Sequence, residues 1–204
     1  MLFQMLNKYR STDQGTIVVD SGHLIHVNDS LLSILSEMNT LQYDILPVRN
    51  NVAAKFKGDT DKYKFKMLSL TNPRFLRSTV IDKGGIKIGF ISYSIQDLEV
   101  MSIETLIQLL IDEALCIKRW ADLVILLSDD QEYADSHIAS KLNNFVDMIL
   151  GGKAEERKSC NGLWHSTSQN AVIHSKHMDS SLVVVSLEIL SKNSYAFKSN
   201  IIEL

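Results

Sequence analysis

The sequence predicts a layered α/β domain with a mixed sheet and helices outside it. Three observations carry that expectation. Apolar runs of strand length alternate with stretches of helical periodicity. The pair Gly84-Gly85 lies between two such runs, where a two-residue hairpin turn belongs. No Pro-rich or Gly/Ser-rich linker and no internal repeat divides the 204 residues, so one domain is expected over 1–204.

Taken along the chain, Ser11, Thr12 and Asp13 read as a polar turn, and Thr16 to Val19 as the first strand. Residues 30–38 place apolar side chains at helical spacing, with Asn28 or Asp29 as the cap. Ile45-Leu46 is a short strand. Phe75 to Ile81 and Ile86 to Ile91 flank the glycine pair as an antiparallel hairpin. From Ser102, a capping residue, to Trp120, one stripe holds Ile103, Leu106, Ile107, Leu110, Ile111, Ala114 and Ile117, which predicts a long helix packed on the sheet. Leu123 to Leu127 is a strand buried on both faces, and Ala134 to Asn143 a shorter helix. Val146 to Leu150 is a strand running into a tight turn at Gly151-Gly152. Ala171 to His174 and Ser181 to Ile189, separated by a polar segment, read as a closing hairpin.

Composition sets the broad class. Hydrophobic residues make up 45% of the chain and charged residues 22%, with a net charge of -3. That balance fits a globular chain with a core of its own and disfavours disorder or a membrane-embedded chain. Lysines and arginines, balanced by acids along the whole chain, predict no nucleic-acid partner. Cys116 and Cys160 belong to no zinc-type spacing and read as free thiols. No signal-peptide pattern or membrane-length apolar run is present, so the chain as written reads as cytoplasmic with no membrane partner, or as periplasmic if a leader was removed.

Six stretches, taken in order, resemble the calcineurin-like metallophosphoesterases, and within them the catalytic domain of the bacterial 5'-nucleotidase group. They are TIVVDSGH (16–23), MNTLQYDILPVRNN (38–51), GGIKIGFISYS (84–94), RWADLVILLSDD (119–130), NNFVDMILGGKAE (143–155) and NAVIHSKHMDSSLVVVSLEIL (170–190). The resemblance implies a sandwich of two mixed β-sheets flanked by helices. From the resemblance, the family's first strand, which carries Asp-x-His, is expected to be missing, and no C-terminal nucleotide-binding domain is expected.

The family's chemistry uses two divalent cations that polarise phosphoryl oxygens and supply a bound hydroxide. Compared with its ligand pattern, Asp20 fits, while His23 stands in place of the bridging aspartate. Asn50 matches the asparagine ligand, Asn51 replaces the histidine beside it, and Arg49 replaces a glycine. Asp129 occupies a ligand-histidine position, and Lys153 and Glu155 replace the last two histidines. A charged lysine offers no lone pair and repels a dication. The resemblance therefore implies a phosphoric ester hydrolase fold whose metal positions are vestigial, with no cofactor and no catalytic residue.

The leading reading is a catalytically inactive relative that works by protein binding or self-association. The sheet edge left without the first strand would serve for strand addition or a homo-oligomer. A second reading keeps a divergent one-metal phosphoesterase, with manganese, zinc or iron on His23, Asn50, Asp129 and Glu155. A third makes Arg49 and Lys153 a small-anion site. Against both stands simple ion pairing: Lys153 with Asp129 or Glu155, and Arg49 with Asp20, Asp129 or Glu155. His174 and His177 at i, i+3 on a strand would face opposite sides, which argues against a shared metal. Cys160 and His165 lack a third orienting group for nucleophilic catalysis.

Overall fold

Helix α1 spans Leu2–Thr12, where the sequence suggested a polar turn at its end. The hydroxyls of Ser11 and Thr12 donate back to the Lys8 carbonyl at 2.8 and 3.0 Å, so these residues close a helix rather than open a loop. Leu6 is buried. Arg10 donates to the carbonyls of Leu41 and Gln42, just beyond α2 (Leu31–Thr40), and so anchors one helix to the end of the other. The computed structural model describes residues 2–12, 15–21, 31–153, 164–165, 171–174, 181–191 and 194–203. The expected α2 caps, Asn28 and Asp29, lie outside the described residues.

A six-stranded mixed sheet forms the main layer. Its strands are β3 (Ser78–Lys83), β4 (Ile86–Tyr93), β5 (Leu123–Gln131), β6 (Met148–Lys153), β7 (Trp164–His165) and β8 (Ala171–His174), in the order β3-β4-β5-β6-β8-β7. β4, β5, β6 and β8 run parallel, and β3 and β7 pair antiparallel at the two edges. Gly84 and Gly85 have φ of 63° and 84°, the positive values that a two-residue turn between β3 and β4 demands.

The smaller layer pairs β1 (Ile45–Pro47) in parallel with β2 (Lys66–Leu68). Single bridges extend it, from Val19 to Ile45 and from Leu76 to Leu68. The strand expected at residues 16–19 is thus reduced to one bridge. Helices α3 (Asn50–Lys55), α4 (Ile103–Ile117) and α5 (Glu132–Lys141) connect the strands. Among the described residues, no helix is long and apolar enough to cross a membrane.

Two sequence expectations are corrected. β8 does not form a hairpin with the following strand; it joins the main sheet parallel to β6. Its expected partner, β9 (Ser181–Ser191), pairs instead with β10 (Ser194–Glu203) through ten antiparallel pairs. Only Lys192 and Asn193 separate β9 from β10, so that pairing closes a far shorter loop. Gly151-Gly152 is likewise not a turn: β6 continues through both glycines to Lys153. Gly151 is paired with Ser128 on one side and His174 on the other, and the two ladders hold it extended.

Strands β4 and β5 are apolar over residues 88–91 and 123–127, where both their faces are covered. On one side Ile91, Tyr93, Val124 and Leu126 pack with α4 and with Ile138 and Ala139 of α5. On the other, Phe90 and Leu127 meet Ile45 and Leu68 of the smaller layer. Ser102 caps α4 as expected, its hydroxyl accepting from Thr105 N–H. Leu106, Leu110, Ala114 and Ile117 of the predicted stripe are fully covered, and Ile103, Ile107 and Ile111 flank them. Against this surface Gly89 has no room for a side chain: a Cβ there would sit 3.0 Å from Ile117 Cδ1 and 3.1 Å from Ala121 Cβ.

Truncating Leu110 removes a fully buried side chain from this contact. Leu110→Ala is expected to lower the unfolding free energy by about 2 to 5 kcal/mol in urea titrations, with the native far-UV spectrum retained.

Candidate functional site

The C-terminal ends of β1, β4 and β5 converge on one narrow cleft. Val48, Arg49, Ser69, Ser92, Asp97 and Asp129 are among the residues lining it, and its volume is about 10 Å³. That is room for about one water molecule.

Asp129 leaves β5 where pairing with β6 shifts register between Ser128 and Gln131, so the regular ladder is relieved at this residue. Its side chain is 1% exposed. Burying a carboxylate this deeply costs several kcal/mol unless partners replace its water. Arg49 Nε donates to Oδ2, and Ile95 N–H donates to Oδ1 at 2.7 Å. Arg49 stands just past β1, at the entry to α3. The ion pair therefore joins the smaller layer to the main sheet.

A second carboxylate lies beside it. Asp97, 3% exposed, accepts the Ser94 N–H at 2.8 Å while the Ser94 hydroxyl accepts the Gln96 N–H at 3.2 Å, a capping box around the turn Ile95–Glu99. Thr71 Oγ1 donates to Asp97 Oδ1 at 2.6 Å, and Asn50 Nδ2 reaches the same oxygen at 3.2 Å. The Thr71 hydroxyl also lies 3.2 Å from Asn50 Oδ1. Asn51 donates its backbone N–H to Gln96 Oε1 at 3.0 Å. Its own Oδ1 is buried with no hydrogen-bond partner among the described residues.

Of the sequence candidates, the structure brings Arg49, Asn50 and Asp129 to this cleft and its wall. Of the acids considered for Arg49, the described residues show it paired with Asp129. Asp20 ends the segment beside β1, donating its N–H to the Ile45 carbonyl at 3.2 Å. The backbone of Lys153 closes β6 opposite Gln131. His23, Glu155, Cys160 and His177 lie outside the described residues. Cys116 is an exposed free thiol. Among the described residues, no three His, Cys, Asp or Glu side chains come together as metal ligands do. Asp97 and Thr71 were missed by sequence reasoning, although Ser94-Ile95-Gln96-Asp97 has the Ser-x-x-acid spacing of a capping box.

No protein-family model and no curated protein matches the chain. Solved structures do. The sulfate thiohydrolase SoxB of Thermus thermophilus is similar over 99% of this chain and 42% of its own, with a TM-score of 0.75 and 16% identity. A 5'-nucleotidase precursor from the same organism is similar over 100% of this chain and 48% of its own, with a TM-score of 0.72 and 13% identity. The fold is that of the calcineurin-like metallophosphoesterases. The NAD nucleotidase NadN of Haemophilus influenzae, at a TM-score of 0.72 and 14% identity, is similar over 100% of this chain and 49% of its own. The chain thus spans under half the length of each of these proteins, and at such identities the likeness is one of fold. In this metallophosphoesterase fold, the cleft lies where strand ends of both layers meet.

Near Asp20, Tyr43 is pushed up to about 12 by burial first and then by the charges of Asp20 and Glu37, with Arg10 opposing them. Its unfolded value is about 10, so folding favours the neutral phenol. That contribution is complete below pH of about 10 and is lost as pH rises towards about 12. Titration followed at the tyrosinate absorbance is expected to show the same number of tyrosines ionising near pH of about 10 in the native protein and in Tyr43→Phe. One fewer in the variant would show that Tyr43 titrates normally.

Proposed function

We propose that the chain is a catalytically inactive protein of metallophosphoesterase fold that acts through protein binding, a second copy of itself included. The observation that carries this is the guanidinium of Arg49 seated on Asp129, a position where the family places a metal ligand. A cation entering there would have to displace Arg49 and face its positive charge. Asn50, the one position matching the family's asparagine ligand, has its amide engaged with Asp97 and Thr71. The donors described at this cleft do not fit a pair of divalent cations, since one carboxylate is engaged by a guanidinium and the other by a hydroxyl and an amide. For the protein-binding role, β3 supports the reading: it is an edge strand, paired only to β4 among the described residues.

The rival is a one-metal phosphoesterase on His23, Asn50, Asp129 and Glu155, and it requires Asp129 to give up Arg49. An anion site on Arg49 and Lys153 would place the anion beside the Asp129 carboxylate, whose charge opposes it.

Elemental analysis of protein purified without chelators separates these readings. The expected result is well under one equivalent of manganese, zinc or iron, and no hydrolysis of a generic phosphate ester or a 5'-nucleotide after each metal is added. One bound equivalent with chelator-sensitive hydrolysis would establish the phosphoesterase instead.

A further inference from the structure

The chain's charges are less evenly spread than its totals suggest. Residues 55–77 hold five lysines and two arginines against two aspartates, a net +5 in a chain of net charge -3. All seven basic side chains are exposed. Lys62, Lys64 and Lys66 alternate with Tyr63, Phe65 and Met67, which turn inward, half-buried at Tyr63 and buried at the other two. Tyr63 and Phe65 stack at 5.3 Å, and Tyr63 packs against Phe56 at 6.4 Å, so an aromatic layer supports the lysine face. Lys62 ends a short 3-10 turn and Lys66 opens β2, so the three lysines line the entry to that strand.

The opposite charge lies on α4. Between Lys87 and Lys118 there is no lysine or arginine, while Asp97, Glu99, Glu104, Asp112 and Glu113 fall in that interval. Glu104, Gln108 and Asp112 are exposed at i, i+4 and i+8, and so share one helical face. Gln108 Nε2 donates to Asp112 Oδ1 at 2.9 Å and orients that carboxylate. The two acids lie ~12 Å apart along the helix. Beside them Leu115 is 48% exposed and Trp120 71% exposed; at the basic end Leu76 is 48% exposed. Single exposed apolar residues are ordinary, but a tryptophan at the end of an acidic stripe has the make-up of an interface anchor.

We infer that the acidic face of α4 docks on the lysine face of a second copy of this chain, with Glu104 and Asp112 opposite Lys62, Lys64 and Lys66. A two-fold axis that applies each surface to its complement twice closes the assembly at a dimer. Exposed ion pairs contribute about 0 to 1 kcal/mol each, so the dimer is weak, and salt loosens it. This inference rests on the protein-binding reading above and specifies its partner.

Sedimentation equilibrium over a concentration series tests it. Wild type is expected to dimerise at about 50 mM salt and to weaken at least about tenfold at about 500 mM. Lys62→Glu/Lys64→Glu/Lys66→Glu and Glu104→Lys/Asp112→Lys are each expected to be monomeric, and an equimolar mixture of the two is expected to form a heterodimer. Thermal melts of both variants establish that they fold. A wild-type monomer at low salt, or a homodimer persisting in either variant, would overturn the inference. So would a monomer whose lysine variant loses binding to a single-stranded RNA oligonucleotide, since the lysine face would then serve a polyanion. Metal and hydrolysis measurements judge the proposed function separately: a metal-free, inactive monomer would sink only the dimer.

Discussion

The buried pairing of Arg49 with Asp129 is the interaction on which the strand ends depend. Asp129 lies where the β5–β6 ladder breaks register, too deep for water to solvate it. Left alone, a carboxylate there would cost several kcal/mol. Arg49 comes from the other layer, at the exit of β1, and Ile95 N–H comes from the turn after β4. One charge is thus neutralised by groups from both layers, and the position of each chain exit follows from reaching it.

The remaining polar groups of the cleft follow from the same constraint. Once the turn after β4 is drawn towards Asp129, Asp97 is buried within it and must be satisfied in place. Ser94, Thr71 and Asn50 do so through hydrogen bonds from three separate segments. The cleft that remains is of about one water's volume. A guanidinium and an amide are among the groups that hold these two carboxylates.

Where packing repeats with a period, the sequence was a good guide. The α4 stripe, its Ser102 cap and the Gly84-Gly85 turn are each determined by residues close in sequence. The order of motifs carried the fold as well. What failed depended on competition between distant partners. β8 and β9 are both apolar and suited to pairing, and only the short connection to β10 decides which strand β9 takes. Gly151-Gly152 carries a turn signal that two flanking ladders override. At the site, Arg49 and Asp129 were legible as candidates, but several acids were open to the arginine and their pairing is seen only in the folded chain. Asp97 escaped notice because its spacing to Ser94 is that of an ordinary cap.

A double-mutant cycle on Arg49→Met and Asp129→Leu, read as unfolding free energy in urea, tests the account most directly. Arg49→Met takes a cation away from the buried Asp129, Asp129→Leu takes the carboxylate away from Arg49, and the double variant removes both charges. The double variant is expected to be more stable than the sum of the single losses implies, with a coupling of about 1 to 3 kcal/mol between the two residues. Strictly additive losses would contradict it, since Asp129 would then be neutralised by something other than Arg49.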